Sequence, residues 1–171
     1  MKLPIRVLLT AAVASVALVA CASKNTKPVE QTTPPPETAT PAPTNTGKYT
    51  VESLDNDSCL RQRVVYFDFD RSEIRPEFQA AIACHAEYLQ QFPGARVTLE
   101  GNADERGTRE YNLGLGERRG NAVSSSLSAA GASSSQLNVV SYGEERPVCK
   151  EHNESCWQKN RRVEIVYTAK Q

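Results

Sequence analysis

The sequence lacks the motifs that common enzyme classes need. It has no G-x-S-x-G, no H-E-x-x-H and no glycine-rich phosphate loop, and only 2 histidines occur among its 171 residues. Glu100, Asp104 and Glu105 are carboxylates of the kind a glycosidase uses, but no second acid is placed opposite them. We therefore predict that the protein is not an enzyme and that it holds no cofactor and no metal.

A surplus of charge of one sign is also missing. The 20 Lys and Arg residues balance the 20 Asp and Glu residues. Removal of residues 1–20, which include Lys2 and Arg6, leaves 18 basic and 20 acidic residues. Such a balance is not typical of a nucleic-acid-binding protein, so we expect no nucleic-acid partner.

Long apolar runs are absent, but a short one lies near the N-terminus. Val7–Val19 follows two basic residues and is too short to span a bilayer comfortably, so residues 1–20 are predicted to be a signal peptide. Leu18-Val19-Ala20-Cys21 is similar to a bacterial lipobox, in which the thiol of Cys21 receives a diacylglyceryl group. The non-acidic Ala22 predicts an outer-membrane anchor with the domain facing the periplasm. An ordinary signal peptide with an incidental cysteine is the alternative.

Aromatic residues are missing from residues 22–48, where 6 of the 10 prolines are found. Such a segment cannot bury a core, and in polyproline geometry of ~3.1 Å per residue it would reach roughly 80 Å. We predict that residues 21–48 form a lipidated, disordered tether and that residues 49–171 form the folded domain.

The folded part alternates strand and helix patterns in the order β-α-β-α-β-loop-β. The predicted strands lie at 63–70, 96–101, 137–142 and 163–167. One helix is predicted between Pro76 and Phe92, a second follows an apolar stripe that ends at Gly131, and a loop fills residues 143–160. This order predicts an α+β sandwich with two main helices packed on one face of a mixed four-stranded sheet. In the first strand, Phe69 is expected on the same face as Val65 and Phe67.

The stretch Leu99–Val123 joins a strand end to a helix through a polar loop. It contains Ala103-Asp104-Glu105-Arg106-Gly107-Thr108, followed by Tyr111-Asn112 and Leu115-Gly116-Glu117-Arg118-Arg119. These motifs resemble the OmpA-like peptidoglycan-binding domain family, and specifically its peptidoglycan-associated lipoproteins, over about residues 60–168. The resemblance implies noncovalent binding of peptidoglycan through the meso-diaminopimelate of the stem peptide.

The resemblance also implies a set of binding residues. The matching positions in this chain are Asp70, Asp104, Arg119, Phe69, Asn102 and Thr108. Diaminopimelate ends in an ammonium and a carboxylate, so Asp104 is expected to bind the ammonium and Arg119 the carboxylate. Spacing alone does not show that these two residues meet, because the helix can begin at Thr108 or near Asn112.

Other matching charges have less defined roles. Glu105, Arg106 and Arg118 are expected to form structural pairs or rim contacts. Asn160-Arg161-Arg162 also matches the family and is either part of the site or a surface basic pair. The resemblance further implies a place in the Tol–Pal system of cell division, with TolB and TolA as partners. A structural envelope lipoprotein without a Tol partner, or an accessory of a cell-wall hydrolase, are the alternatives.

Four cysteines remain once Cys21 is lipidated. The periplasm favours disulfides, and we expect the pairs Cys59–Cys84 and Cys149–Cys156, although four cysteines allow three connectivities and the sequence does not choose among them. A zinc site formed by Cys149, His152 and Cys156 is the alternative, although its spacing fits no common zinc pattern.

Overall fold

Four strands and four α-helices make up the part of the chain that the computed structural model describes, residues 47–171. They are α1 (Ser53–Asn56), β1 (Val64–Tyr66), α2 (Gln79–Gln91), β2 (Arg96–Asn102), α3 (Arg109–Ala129), β3 (Leu137–Gly143), α4 (Glu154–Asn160) and β4 (Arg162–Ala169). Single 3₁₀ turns precede α2 and β3. The predicted signal peptide, Cys21 and nearly all of the predicted tether lie outside the described residues.

The four strands form one mixed sheet in the order β1-β4-β2-β3. β2 and β3 are parallel, whereas β4 lies antiparallel to both β1 and β2. The β2–α3–β3 segment is therefore a strand–helix–strand unit, and the last strand of the chain inserts into the middle of the sheet. This topology confirms the predicted α+β class.

One face of the sheet is covered by α2 and α3. A single apolar cluster contains side chains of both helices and of β1, β2 and β4, among them Ile82, Leu89, Leu99, Val123 and Ile165. The stripe predicted for the first helix is confirmed, since all five of its side chains, Phe78, Ile82, His85, Leu89 and Phe92, are buried. His85 is held inside by two contacts: its Nε2 donates to the carbonyl of Gln62 at 3.2 Å and its Nδ1 accepts from the Tyr167 hydroxyl at 2.9 Å.

The helix α3 approaches the sheet closely at a pair of glycines. A Cβ placed on Gly101 of β2 would lie within 1.9 Å of the carbonyl oxygen of Gly116 on α3. Contact at this distance is possible only without side chains, so these two residues set the spacing between β2 and α3. That spacing places the N-terminal turns of α3 beside the end of β2.

The prediction for the first strand is wrong beyond Tyr66. β1 ends there, and the side chain of Phe69 is 54 % exposed instead of facing the core. The backbone turns away from the sheet and reaches a positive φ of 57° at Asp70. Two buried arginines make this departure possible, because Arg161 donates to the carbonyl of Phe67 and Arg119 donates to that of Asp68.

The predicted loop at 143–160 also differs from the structure, because it contains the helix α4. Asn153 begins α4 as its N-cap, with its side chain accepting from the backbone N–H of Cys156 at 3.0 Å. The short helix α1 was not predicted from the sequence either. No helix within residues 47–171 is long and apolar enough to cross a membrane.

Both expected disulfides are present. Cys59 is bonded to Cys84, and Cys149 is bonded to Cys156. The zinc alternative at Cys149, His152 and Cys156 is therefore wrong, because the two sulfurs that would bind the metal are bonded to each other. In the described part of the chain, no group of three or more His, Cys, Asp or Glu side chains is arranged to hold a metal ion.

Candidate functional site

Asp104 lies where β2 gives way to the loop that leads into α3. Its side chain is 4 % exposed and accepts four hydrogen bonds. Oδ1 accepts from the backbone N–H and the Nε of Arg106, both at 3.1 Å. Oδ2 accepts from Nη2 of Arg106 at 2.7 Å and from Nη1 of Arg161 at 3.2 Å. Asp104 is thus a buried carboxylate shared by two guanidinium groups.

The environment of Asp104 keeps it ionised. Burial opposes the charged form, but the hydrogen bonds from Arg106 and Arg161 outweigh burial and hold the pKa of Asp104 below its ordinary value. The pair with Arg161 is almost dry, since both side chains are about 5 % exposed or less. A negative charge is therefore fixed at this point of the site at neutral pH.

Arg119 projects from the third turn of α3 and is completely buried. Its guanidinium donates to three backbone carbonyls: Nε to Arg71 at 2.8 Å, Nη1 to Asn102 at 2.9 Å, and Nη2 to Asp68 at 3.1 Å. These bonds join the end of β2 to the loop that follows β1. Burial lowers the pKa of Arg119 to about 10, so the group still carries its proton at neutral pH.

The sequence left two possible starts for α3, and the earlier start places Arg119 farther along the helix from Asp104. α3 begins at Arg109, and the side chain of Thr108 caps it by accepting from the backbone N–H of Tyr111 at 3.2 Å. The earlier of the two predicted starts is therefore correct. Arg119 nevertheless reaches the end of β2, where it donates to the carbonyl of Asn102 two residues before Asp104, because α3 packs across that strand at the glycine contact.

Phe69 and Asp70 approach the same place from the loop after β1. The carboxylate of Asp70 accepts a hydrogen bond from the hydroxyl of Tyr111 on α3. The ring of Phe69 lies 4.0 Å from the guanidinium carbon of Arg106. This loop therefore forms one wall of the site and α3 forms the opposite wall.

Together these side chains enclose an open cleft of about 210 Å³. Its walls are formed by Phe69, Asp70, Asp104, Arg106, Gly107, Tyr111, Asn112, Leu115 and Arg119. Four of these residues are charged, two as carboxylates and two as guanidinium groups. The cleft is therefore balanced in charge, with apolar surface contributed by Phe69 and Leu115.

Two of the predicted site residues are not part of the cleft wall. Asn102 is buried, with its Nδ2 donating to the carbonyl of Glu100 at 2.9 Å and its own carbonyl accepting from Arg119. Thr108 is exposed and serves as the helix cap. The structure thus brings together Asp70, Asp104, Arg119 and Phe69, and places Asn102 and Thr108 in supporting positions.

Known proteins are similar in sequence to this domain, including the loop that carries Asp104. Residues 66–161 match the model of the OmpA family. The peptidoglycan-associated lipoprotein of Pseudomonas putida is 51 % identical over 114 residues, which cover 66 % of this chain and 68 % of that protein. The chain belongs to the OmpA family, in its group of peptidoglycan-associated lipoproteins.

Other proteins are similar to this chain in sequence, in structure or in both. The peptidoglycan-associated lipoprotein of Haemophilus influenzae is 44 % identical over 121 residues, covering 71 % of this chain and 76 % of its own length. The crystal structure of the Burkholderia pseudomallei peptidoglycan-associated lipoprotein matches with a TM-score of 0.66 at 44 % identity, over 68 % of this chain and 98 % of that one. The C-terminal domain of Helicobacter pylori MotB matches with a TM-score of 0.57 at 23 % identity, over 61 % and 82 %, which shows a shared fold.

Four further side chains line the cleft or contact its residues, and none of them was in the predicted set of binding residues. Arg106 and Tyr111 line the cleft; Arg106 was expected to form a structural pair or a rim contact, and it pairs with Asp104. Arg161 belongs to the Asn160-Arg161-Arg162 run and is buried against Asp104, so the interpretation of that run as a surface basic pair is wrong. The ring centroid of Trp157 lies 4.2 Å from the guanidinium carbon of Arg106. Because the two residues are 51 positions apart, no local sequence pattern predicts this contact.

Proposed function

We propose that this chain is an outer-membrane lipoprotein that binds peptidoglycan noncovalently through the meso-diaminopimelate of the stem peptide. Membership of the OmpA family supports peptidoglycan as the ligand. The observation that carries the proposal is the charge-balanced cleft, in which two carboxylates face two guanidinium groups within about 210 Å³. A zwitterionic end of a small side chain is the ligand chemistry that such a cleft complements.

In the proposed complex, the ligand ammonium lies at the carboxylate side of the cleft. Asp70 is exposed and meets the ammonium first, while Asp104 supplies the fixed negative charge at the base. Because Arg106 and Arg161 already donate to Asp104, the ammonium shares that carboxylate with them. Phe69 and Leu115 cover the aliphatic part of the ligand.

The ligand carboxylate lies at the opposite side, against Arg119. A guanidinium has five N–H groups, and three of those of Arg119 donate to backbone carbonyls of the described residues. Two N–H groups are left for an acceptor in the cleft, in a planar arrangement that suits a carboxylate. The three carbonyl bonds also hold the guanidinium in place before the ligand arrives.

Replacement of Asp70 by Asn tests this binding mode. Asn has the same shape and accepts the positive φ of 57° at this position, so the turn is expected to persist. The variant is expected to bind a diaminopimelate-containing stem peptide about tenfold more weakly, equivalent to ~1.4 kcal/mol, which is the order of one charged hydrogen bond. Isothermal titration calorimetry of the purified chain measures this.

Asp68→Asn is the matched control. Asp68 lies two residues away on the same loop, with an exposed carboxylate that pairs with Arg75 at 3.5 Å instead of facing the cleft. The control variant is expected to bind as the unchanged protein does. A stem peptide that carries lysine in place of diaminopimelate lacks the terminal carboxylate and is expected to bind more weakly to all three proteins. The binding mode would be contradicted if the unchanged protein bound the lysine and diaminopimelate peptides equally well. It would also be contradicted if Asp70→Asn and Asp68→Asn bound the diaminopimelate peptide with the same affinity.

The membrane anchor and the partners extend the same proposal. Cys21→Ser is expected to leave the protein in the soluble periplasmic fraction, and persistence in the membrane fraction would argue against lipidation at Cys21.

Copurification of TolB or TolA would support a role in the Tol–Pal system and cell division. Binding to peptidoglycan without either partner would favour the structural envelope lipoprotein, and release of soluble muropeptides would favour a hydrolase accessory.

A further inference from the structure

The helix α4 and the turn that precedes it contact the loop that carries Asp104 from outside the cleft. The indole Nε1 of Trp157 donates to Oε1 of Glu105 at 2.7 Å, and Nδ1 of His152 lies 2.6 Å from the same oxygen. Glu105 and Arg106 directly follow Asp104 in the chain. The loop that carries Asp104 is therefore held from outside by side chains that lie 47 or more positions away.

Arg106 is the residue through which these contacts reach the cleft. Its guanidinium carbon lies 4.0 Å from the ring centroid of Phe69 and 4.2 Å from that of Trp157, so both rings pack against the same cation. The same guanidinium donates through Nε and Nη2 to the two oxygens of Asp104. A shift of the Trp157 ring would thus move the group that orients Asp104.

The position of Trp157 depends in turn on the loop that the Cys149–Cys156 disulfide closes. Cys156 is buried and directly precedes Trp157 on α4. At the other end of α4, the side chain of Asn160 accepts from the backbone N–H groups of Val148 and Cys149 at 2.9 and 3.1 Å. The disulfide and Asn160 thus tie both ends of α4 to the same short segment.

A second side chain of α4 contacts the same site. Glu154 accepts from Nη2 of Arg161 at 2.7 Å and lies 3.4 Å from Nη1 of Arg106. These are the two arginines that share the carboxylate of Asp104. Release of α4 would therefore affect both partners of Asp104 at once.

We propose that Trp157, held on α4 by the Cys149–Cys156 disulfide, is a positioning residue that fixes Arg106 and Glu105 and thereby aims Asp104 at the ligand. The inference rests on the proposed peptidoglycan-binding function of the cleft. Trp157 acts through Arg106 and does not touch the ligand. Removing the ring or the disulfide leaves every cleft-lining residue in the sequence and alters only how firmly the loop is held.

The ligand-free arrangement is tested first, by NMR of the purified chain labelled with ¹⁵N. In the unchanged protein, the Nε–H signal of Arg106 is expected to differ from that of a free arginine, because two rings pack against its guanidinium, and to exchange slowly, because this proton is bonded to Asp104. In Trp157→Ala and in the double variant Cys149→Ser/Cys156→Ser, the signal is expected to move toward that of a free arginine. An unchanged signal in both folded variants would overturn the inference, whether or not the protein binds peptidoglycan.

Ligand affinity is tested next, with a diaminopimelate-containing stem peptide as the probe. Trp157→Ala and the Cys149→Ser/Cys156→Ser variant are expected to bind about tenfold more weakly, a factor equal to ~1.4 kcal/mol, because binding must then also order the loop that carries Asp104. Trp157→Phe is expected to recover part of the affinity, because a phenyl ring packs against Arg106 but cannot donate to Glu105.

The other disulfide provides the matched control. Cys59→Ser/Cys84→Ser makes the same chemical change between the segment before β1 and α2, and it removes a bond that closes 25 residues instead of 7. It is expected to bind the peptide as the unchanged protein does. Equal weakening by both double variants, or unchanged or tighter binding by folded Trp157→Ala, would overturn the inference. Failure of the unchanged protein to bind the peptide would refute the proposed function instead, and the NMR result would still decide the role of Trp157.

Discussion

Replacing Arg119 by Met is expected to separate the stability of the cleft from its chemistry. The variant keeps an unbranched side chain of similar reach in a position that is completely buried, and it removes only the guanidinium. The carbonyls of Asp68, Arg71 and Asn102 then lose the donor that they share. The loop after β1 would no longer be joined to the end of β2.

The size of the effect follows from where the three carbonyls lie. The bond to Asn102 is buried, so its carbonyl is left unsatisfied at a cost of about 1–3 kcal/mol. The bonds to Arg71 and Asp68 are partly buried, so water can replace the donor and each loss costs about 1 kcal/mol. The free energy of unfolding is expected to fall by about 3–5 kcal/mol, a large share of the roughly 5–15 kcal/mol typical of a domain.

Urea unfolding followed by circular dichroism measures this loss. Arg118→Met is the matched control, because Arg118 is the preceding residue on the same helix but is exposed, with its guanidinium carbon 5.5 Å from the ring of Tyr111. The control is expected to change the free energy of unfolding by less than about 0.5 kcal/mol. A loss within about 1 kcal/mol of the control would refute the conclusion that Arg119 holds the two loops together.

Hydrogen exchange localises the effect. The amide of Arg71, which donates to the carbonyl of Asp68 at 3.3 Å, is expected to exchange faster in Arg119→Met than in Arg118→Met. Faster exchange restricted to α2, with the exchange of the Arg71 amide unchanged, would contradict this reasoning. The result also matters for the proposed peptidoglycan binding, because weaker binding by an Arg119 variant would report lost structure as well as the loss of the proposed ligand contact.

Two further predictions concern packing and pH. Gly116→Ala is expected to destabilise the protein by more than about 2 kcal/mol in urea unfolding, because its Cβ would lie 2.8 Å from the carbonyl oxygen of Gly101. Gly114→Ala is the control. Its Cβ would meet only the flexible end of an arginine at 3.4 Å, so this variant is expected to stabilise α3 by about 0.5–1 kcal/mol. A smaller loss in Gly116→Ala than in Gly114→Ala would contradict the close helix–sheet contact. Burial lowers the pKa of His85 from 6.5 to about 4. Between these two pH values the imidazole is protonated in the unfolded chain but not in the folded chain. About 3 kcal/mol of the free energy of unfolding that is present above pH 6.5 is therefore expected to be lost as the pH falls to 4. The free energy of unfolding should therefore fall more between pH 7 and 4.5 in the unchanged protein than in His85→Gln, and equal decreases would show that His85 is not the group responsible.

The regular elements of the fold could be predicted because their signals are local. The helical spacing of Phe78, Ile82 and Leu89 reports burial of one helix face, and Gly131, with a φ of 104°, ends the second helix as its position suggests. The two disulfides could be proposed, but the sequence could not select them from the three possible connectivities, because chain order does not show which cysteines lie close together. The strand prediction failed after Tyr66, since alternation in the sequence cannot show that distant arginines will bind the carbonyls of Phe67 and Asp68.

The candidate site was predicted in part, through the resemblance of one loop and helix to a family. Asp104 and Arg119 were named in this way, and so were Asp70 and Phe69. The roles were less predictable: for Arg106 a structural pair and a rim contact were both open, and it pairs with Asp104, while Arg161 is buried against the same carboxylate. A charged residue in a sequence carries no sign of whether its partner will be water, a carbonyl or another side chain.

Local residue patterns are enough to specify the periodic elements, the polar loop between β2 and α3 and the kinds of charge available to a ligand, because these depend on neighbours within a few positions. Tertiary packing alone brings two carboxylates and two guanidinium groups into one cleft and places Trp157 against Arg106, which is 51 positions away in the chain. Those contacts arise when β4 inserts beside β2 and α3 packs across the glycines. Long-range packing sets the distances between charges, and these distances decide what the cleft can bind.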